Sequence, residues 1–201
     1  MIKPMRQAAF STGFFLLTAA QPAWSHAPIE GLGGFYNGML HPILVPSQLL
    51  LLIAAGMLFG QQGASANQPA IAAFASATLA GLIAAWFVGE PGIESFVLII
   101  ALLISVMVAA SLRLSLTICA AILAVAGFML GIDSSQDALL GTDRFGSLLG
   151  SGISIYLIFL FVMGWADSDH DRDWQKIGVR IIGSWIAASS LLMLAFSLSA
   201  R

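Results

Sequence analysis

The residues with chemistry to offer begin at His41. It stands with Pro42 and Pro46 in a run from Gly31 to Gln62 that holds no Asp, Glu, Lys or Arg. An uncharged run of this length reads as membrane-embedded. There, backbone groups freed by proline must be met by protein or by water in a cavity. A helix broken beside a titratable imidazole is therefore where a binding site is expected. As a metal ligand His41 needs a fixed tautomer and at least two partners. The ordinary alternative is a helix-capping or interfacial histidine bonded to backbone. His26 joins it if a leader is cleaved after Ser25, because the free amine and imidazole of an N-terminal histidine chelate a transition metal together. A histidine left at the terminus by chance is the competing explanation. Glu94, which with Glu90 flanks Pro91-Gly92, offers a carboxylate, although the helix dipole alone accounts for an acid at a helix start. The expected metal site thus lies at the outer mouth, His41 with help from His26 or Glu94. Imidazole and carboxylate suit Ni²⁺ or Zn²⁺ better than Ca²⁺ or Mg²⁺. Affinity should fall below about pH 6.5, where histidine protonates.

Other polar groups read more plainly. Asp133 and Asp137 fall at the outer membrane edge, where solvated caps are the ordinary explanation. The alternating aspartates of 167–173 suggest a calcium loop, but Arg172 stands where the obligatory glycine belongs, and no glutamate closes it. Cys119 is the one cysteine, set in an apolar run, and reads as core filling. No Gly-x-Ser-x-Gly elbow, phosphate loop, His-Glu-x-x-His pair or Cys-x-x-Cys is present, so no enzymatic activity is expected.

The elements that must position these residues are membrane helices. Of the 201 residues 59% are hydrophobic and only 9% charged, against about 25% charged in a soluble domain. A net charge of −2 without a basic cluster argues against nucleic acid. Residues 1–25 read as a cleaved signal peptide: Lys3 and Arg6, an apolar stretch, then Ala23-Trp24-Ser25. An uncleaved first helix is the alternative. Charges and one polar interruption, 61–69, then divide residues 26–201 into six spans near 46–61, 69–88, 94–113, 113–133, 144–167 and 180–201. The expected fold is an all-α bundle of six transmembrane helices, its first helix preceded by the proline-broken segment. Arg113, Arg172, Lys176 and Arg180 then share the cytoplasmic side and both mature termini lie outside. Gly56 and Gly60, Ala77-Gly81-Ala85, Gly127 and Gly131, and Gly146-Gly150-Ser154 have the small-xxx-small spacing that lets helices approach closely. They serve the bundle or a dimer face.

Two stretches resemble a known family. Gly31-Leu32-Gly33-Gly34-Phe35, Gly38 and Leu40-His41-Pro42, running into an apolar helix that ends in Gln, is similar to the opening of the HupE/UreJ family. Arg180, Gly183-Ser184-Trp185 and Ile186-Ala187-Ala188 are similar to its ending. Its members are small bacterial membrane proteins that accompany hydrogenase and urease systems and are regarded as nickel or cobalt permeases. The resemblance implies a multi-pass protein of the bacterial inner membrane, Ni²⁺ or Co²⁺ as cargo, and no resident cofactor. It also aligns Glu94 with an acid of the family's third helix. The chain departs from the pattern where histidines are usual. Val45-Pro46-Ser47-Gln48 replaces Gly-Leu-Asp-His, and 130–137 lacks both histidines of a His-Gly-x-Ala-His-Gly segment. Phe161 stands near another expected histidine, ahead of Gly164.

Two functions follow as expectations. One is a divergent permease with His41 and Glu94 along its path. The other is an accessory or assembly subunit on the same scaffold, no longer transporting. The bilayer is the surrounding partner in both; a transition-metal ion belongs to the first, and a membrane complex or a second copy to the second.

Overall fold

The computed structural model describes residues 28–63, 68–89, 91–167 and 173–199. The expected leader, His26, Glu90 and 168–172 lie outside the described residues. Those described form seven helices and no strand. They are α1 (Gly34–Leu44), α2 (Pro46–Gln61), α3 (Gln68–Val88), α4 (Glu94–Ala109), α5 (Leu116–Ile132), α6 (Gly141–Ala166) and α7 (Asp173–Ser199). The charge-bounded spans agree with α2–α7 to within a few residues, except that α7 starts seven residues early, at Asp173. The segment before the first span differs from expectation, because it is itself a helix.

Proline explains the joint between α1 and α2. The residue before a proline is pushed from helical to extended backbone, and Val45, before Pro46, has φ −90° and ψ 105°. The two helices meet there at 72°. Pro46 costs little, since the first position of α2 has no intrahelical use for an N–H. Pro42 lies inside α1 and leaves the Gly38 carbonyl without its partner four residues on. The Ser151 hydroxyl on α6 donates to that carbonyl at 3.0 Å. Ser151→Ala should therefore destabilise the protein by about 1–3 kcal/mol, the cost of a buried orphan acceptor. Pro42→Ala in the same chain should recover most of it by restoring the N–H, read as thermal stability in detergent. Equal losses with and without Pro42→Ala would show that Ser151 acts elsewhere.

Glycine sets the closest packing. A Cβ at Gly34 or Gly38 would strike the α6 backbone at Asp143 or Ser147, and one at Gly150 would strike Phe35. α1 therefore lies against the first half of α6 with the two backbones touching. Gly81, Gly127 and Gly131 join α3 to α5 in the same way, and Gly60 joins α2 to the end of α6. The middle of the bundle is aromatic, with Phe159 stacked on Phe74 at 4.0 Å and tilted against Phe59 at 6.0 Å.

Polar bonds fix the two ends. At one end Gln61 donates to Val108 O and Arg113 to Gln61 O, while Arg180 Nε donates to Ala109 O at 3.1 Å. These cations and amides satisfy the last carbonyls of α2 and α4. At the other end lie α1, the start of α2 and α6, and the close of α3 and α5. The outside is apolar, with Phe87, Phe161 and Trp185 at least 71% exposed, while polar side chains are buried within. This is the distribution of a protein whose solvent is lipid. α3, α6 and α7 are long and apolar enough to cross a membrane, and the bent pair α1–α2 makes a fourth if taken as one span. α4 and α5 are apolar but only 16 and 17 residues long.

Candidate metal site at the broken helix

The bend brings His41, in the last turn of α1, beside Gln48, in the first turn of α2. The chain leaving α5 closes over both. Asp133 and Gln136 come from that segment, and none of the four side chains is more than 4% exposed. Asp133 is thus a buried partner of His41, contrary to the solvated cap expected at the membrane edge. The bend is the physical reason, because it sets His41 of α1 and Gln48 of α2 against the backbone and carboxylate of Asp133. Asp137 is exposed as expected.

The hydrogen bonds define the imidazole. Gln136 Nε2 donates to His41 Nδ1 at 2.8 Å. An Nδ1 that accepts leaves the proton of a neutral ring on Nε2, which lies 3.3 Å from Asp133 O. Gln48 Nε2 donates to Asp133 O at 2.8 Å and to Asp133 Oδ2 at 2.9 Å, and stands 3.2 Å from His41 Nε2. The Ser134 hydroxyl, donating to Leu130 O at 2.7 Å, tightens the turn that carries Asp133 and Gln136.

That amide nitrogen is the informative atom. It sits where a carboxylate oxygen, a backbone carbonyl and the ring nitrogen Nε2 converge, the last an electron-pair donor once its proton moves to Nδ1. An N–H₂ group carries partial positive charge, so it fills the place of a cation. Metal bonds to such atoms run about 2.0–2.2 Å, so the three donors need close by only about 1 Å once the amide turns away. The oxygens of Gln48 and Gln136 are both buried without a partner. Turning the Gln48 amide would add its oxygen as a fourth donor. Turning the Gln136 amide would give Nδ1–H an acceptor, which moves the ring proton to Nδ1 and frees Nε2 for metal.

Glu94 opens α4 and is half-buried. Gln61 near the end of α2 meets Val108 near the end of α4, so the two helices run parallel and Glu94 lies toward the His41 end. It forms no hydrogen bond with the cluster. His26, outside the described residues, has no structural account. Gln48 and Gln136 were missed as site residues in the sequence, where a glutamine seven residues after His41 in an uncharged helix was the available signal.

The HupE / UreJ protein family matches residues 14–193. The chain belongs to the HupE/UreJ family. Membership supports, at family level, a membrane protein of the nickel or cobalt accessory or permease-like kind. No curated protein and no solved structure gives a significant match. Against the HupE/UreJ pattern, Gln48 stands in the segment where an Asp-His pair is usual.

Proposed function

We propose that this HupE/UreJ protein is a permease that admits a divalent transition metal, Ni²⁺ or Co²⁺, from outside the cell, without a catalytic step. The observation that carries this reading is the convergence of His41 Nε2, Asp133 O and Asp133 Oδ2 on one buried point at the bend of a broken helix. Broken helices with buried polar groups are the way bundles build ion sites away from water. The metal loses its hydration shell to the imidazole, the carboxylate and the carbonyl. The carboxylate charge offsets part of the desolvation cost, and the turning amides exchange protonic for metal contacts. His26, fifteen residues before His41, is the further nitrogen donor at the outer mouth, and Glu94 a second carboxylate toward the same end.

In this reading α2–α7 each cross the bacterial inner membrane, with the leader removed and both mature termini outside. Arg113, Lys176 and Arg180 then face the cytoplasm, in keeping with the inward bias of basic residues. Reporter fusions after Asp167 and after Ser199 should report opposite sides; the same side for both would overturn this topology.

A second reading is an accessory or assembly subunit that does not transport. It draws support from the absence, among the described residues, of any group of three His, Cys, Asp or Glu able to hold a metal. Uptake of radioactive nickel and cobalt by cells with and without the protein separates the two. Equal uptake would remove the permease and leave the subunit.

A further inference from the structure

Between α3 and α6, on the side away from His41, runs a cleft of about 550 Å³. Its walls include Phe74, Leu79, Trp86, Phe145, Ile153 and Tyr156, and it is almost entirely apolar. Along α3 it extends from Phe74 to Phe87, about 20 Å at 1.5 Å per residue. Half of the hydrocarbon core is about 15 Å deep, so the cleft spans one leaflet and its interface.

The end of the cleft near Phe87 carries a cation. The Arg144 guanidinium lies 5.6 Å above the Trp86 ring. Its Nη2 donates to Ala85 O at 3.0 Å and to the Ser135 hydroxyl at 3.4 Å. Its Nε is buried and has no hydrogen-bond partner. The Ser135 hydroxyl passes the contact on, donating to Asp137 Oδ1 at 3.4 Å. A guanidinium offers five N–H donors in a fork suited to phosphate, and with Nη2 on a carbonyl and a hydroxyl and Nε without a partner, this one has donors left for an anion. Tryptophan beside it marks the depth of the lipid headgroups.

We propose that this cleft binds one anionic phospholipid, an acyl chain lying between α3 and α6 and its phosphate on Arg144. The cleft's length fits a single-leaflet chain, and its one cation stands where a headgroup would lie. Through Ser135 the same arginine touches the segment that presents Asp133 and Gln136, so lipid occupancy steadies that segment.

Native mass spectrometry of the delipidated full-length protein, titrated with phosphatidylglycerol or phosphatidylcholine, tests this. One phosphatidylglycerol should be retained at a concentration about tenfold below that needed for phosphatidylcholine, a difference of the size expected for one exposed charge contact. Arg144→Gln should bring the two lipids level, whereas Arg144→Lys should keep the preference. Ala75→Phe, which fills the cleft, should weaken both. Equal binding of the two lipids to the unaltered protein, or an unchanged preference in Arg144→Gln, would overturn the headgroup assignment. Lipid retention unaffected by Ala75→Phe would overturn the cleft. A lipid-free dimer dissolved by Ala75→Phe would assign the cleft to a second copy instead.

Discussion

Asp133→Asn is expected to abolish metal uptake while the protein still accumulates in the membrane. The substitution keeps an oxygen for Gln48 to donate to, and the backbone carbonyl that also accepts from Gln48 is untouched. What disappears is the only carboxylate bonded within the His41 cluster among the described residues. One unit charge at 4 Å is worth about 4 kcal/mol at an effective dielectric of 20, about a thousandfold in affinity, and the cargo carries two. Folding should change by less than about 1 kcal/mol, because hydrogen bonding is conserved. Uptake assays beside immunoblots check this. Uptake at the unaltered level would return Asp133 to the role of a helix cap.

Gly38→Leu is the largest expected blow to the fold. A Cβ at Gly38 collides with the Ser147 backbone, and backbone cannot step aside as the end of a side chain can. α1 must lift from α6, which breaks the Ser151 bond to the Gly38 carbonyl and carries His41 away from Asp133. The cost should be about 3 kcal/mol or more, seen as failure to accumulate. Gly164→Leu on α6 is the control, since nothing lies within 4 Å of its Cβ position. Similar loss in both variants would mean that glycine matters for backbone freedom and not for the α1–α6 contact.

Much of the bundle was legible because charges are rare. Glu94, Arg113 and Asp133 bound two helices to within four residues, and in a chain so apolar each charge marks an end. α1 was hidden by its own devices. Two prolines and the glycines from Gly31 to Gly38 imitate an irregular segment, yet Gly34 and Gly38 have the spacing that packs α1 on α6. The site was half legible. His41 stood out as an imidazole in an uncharged run, whereas Asp133 read as solvent-facing because its burial depends on a helix about ninety residues earlier in the chain. Local pattern cannot reveal that a distant bend meets a helix end. Gln48 and Gln136 carry no charge to mark them, and only the geometry shows that one amide holds Nδ1 of the ring and the other stands beside Nε2.

The most direct test of a metal site at His41 and Asp133 is calorimetric titration of purified protein with NiCl₂, beside His41→Ala. The unaltered protein should bind one Ni²⁺ near neutral pH and bind it more weakly as the pH falls, because protons compete with the metal for imidazole. His41→Ala should lose at least about tenfold in affinity. Equal stoichiometry and affinity in the two proteins would contradict the site and favour the accessory subunit.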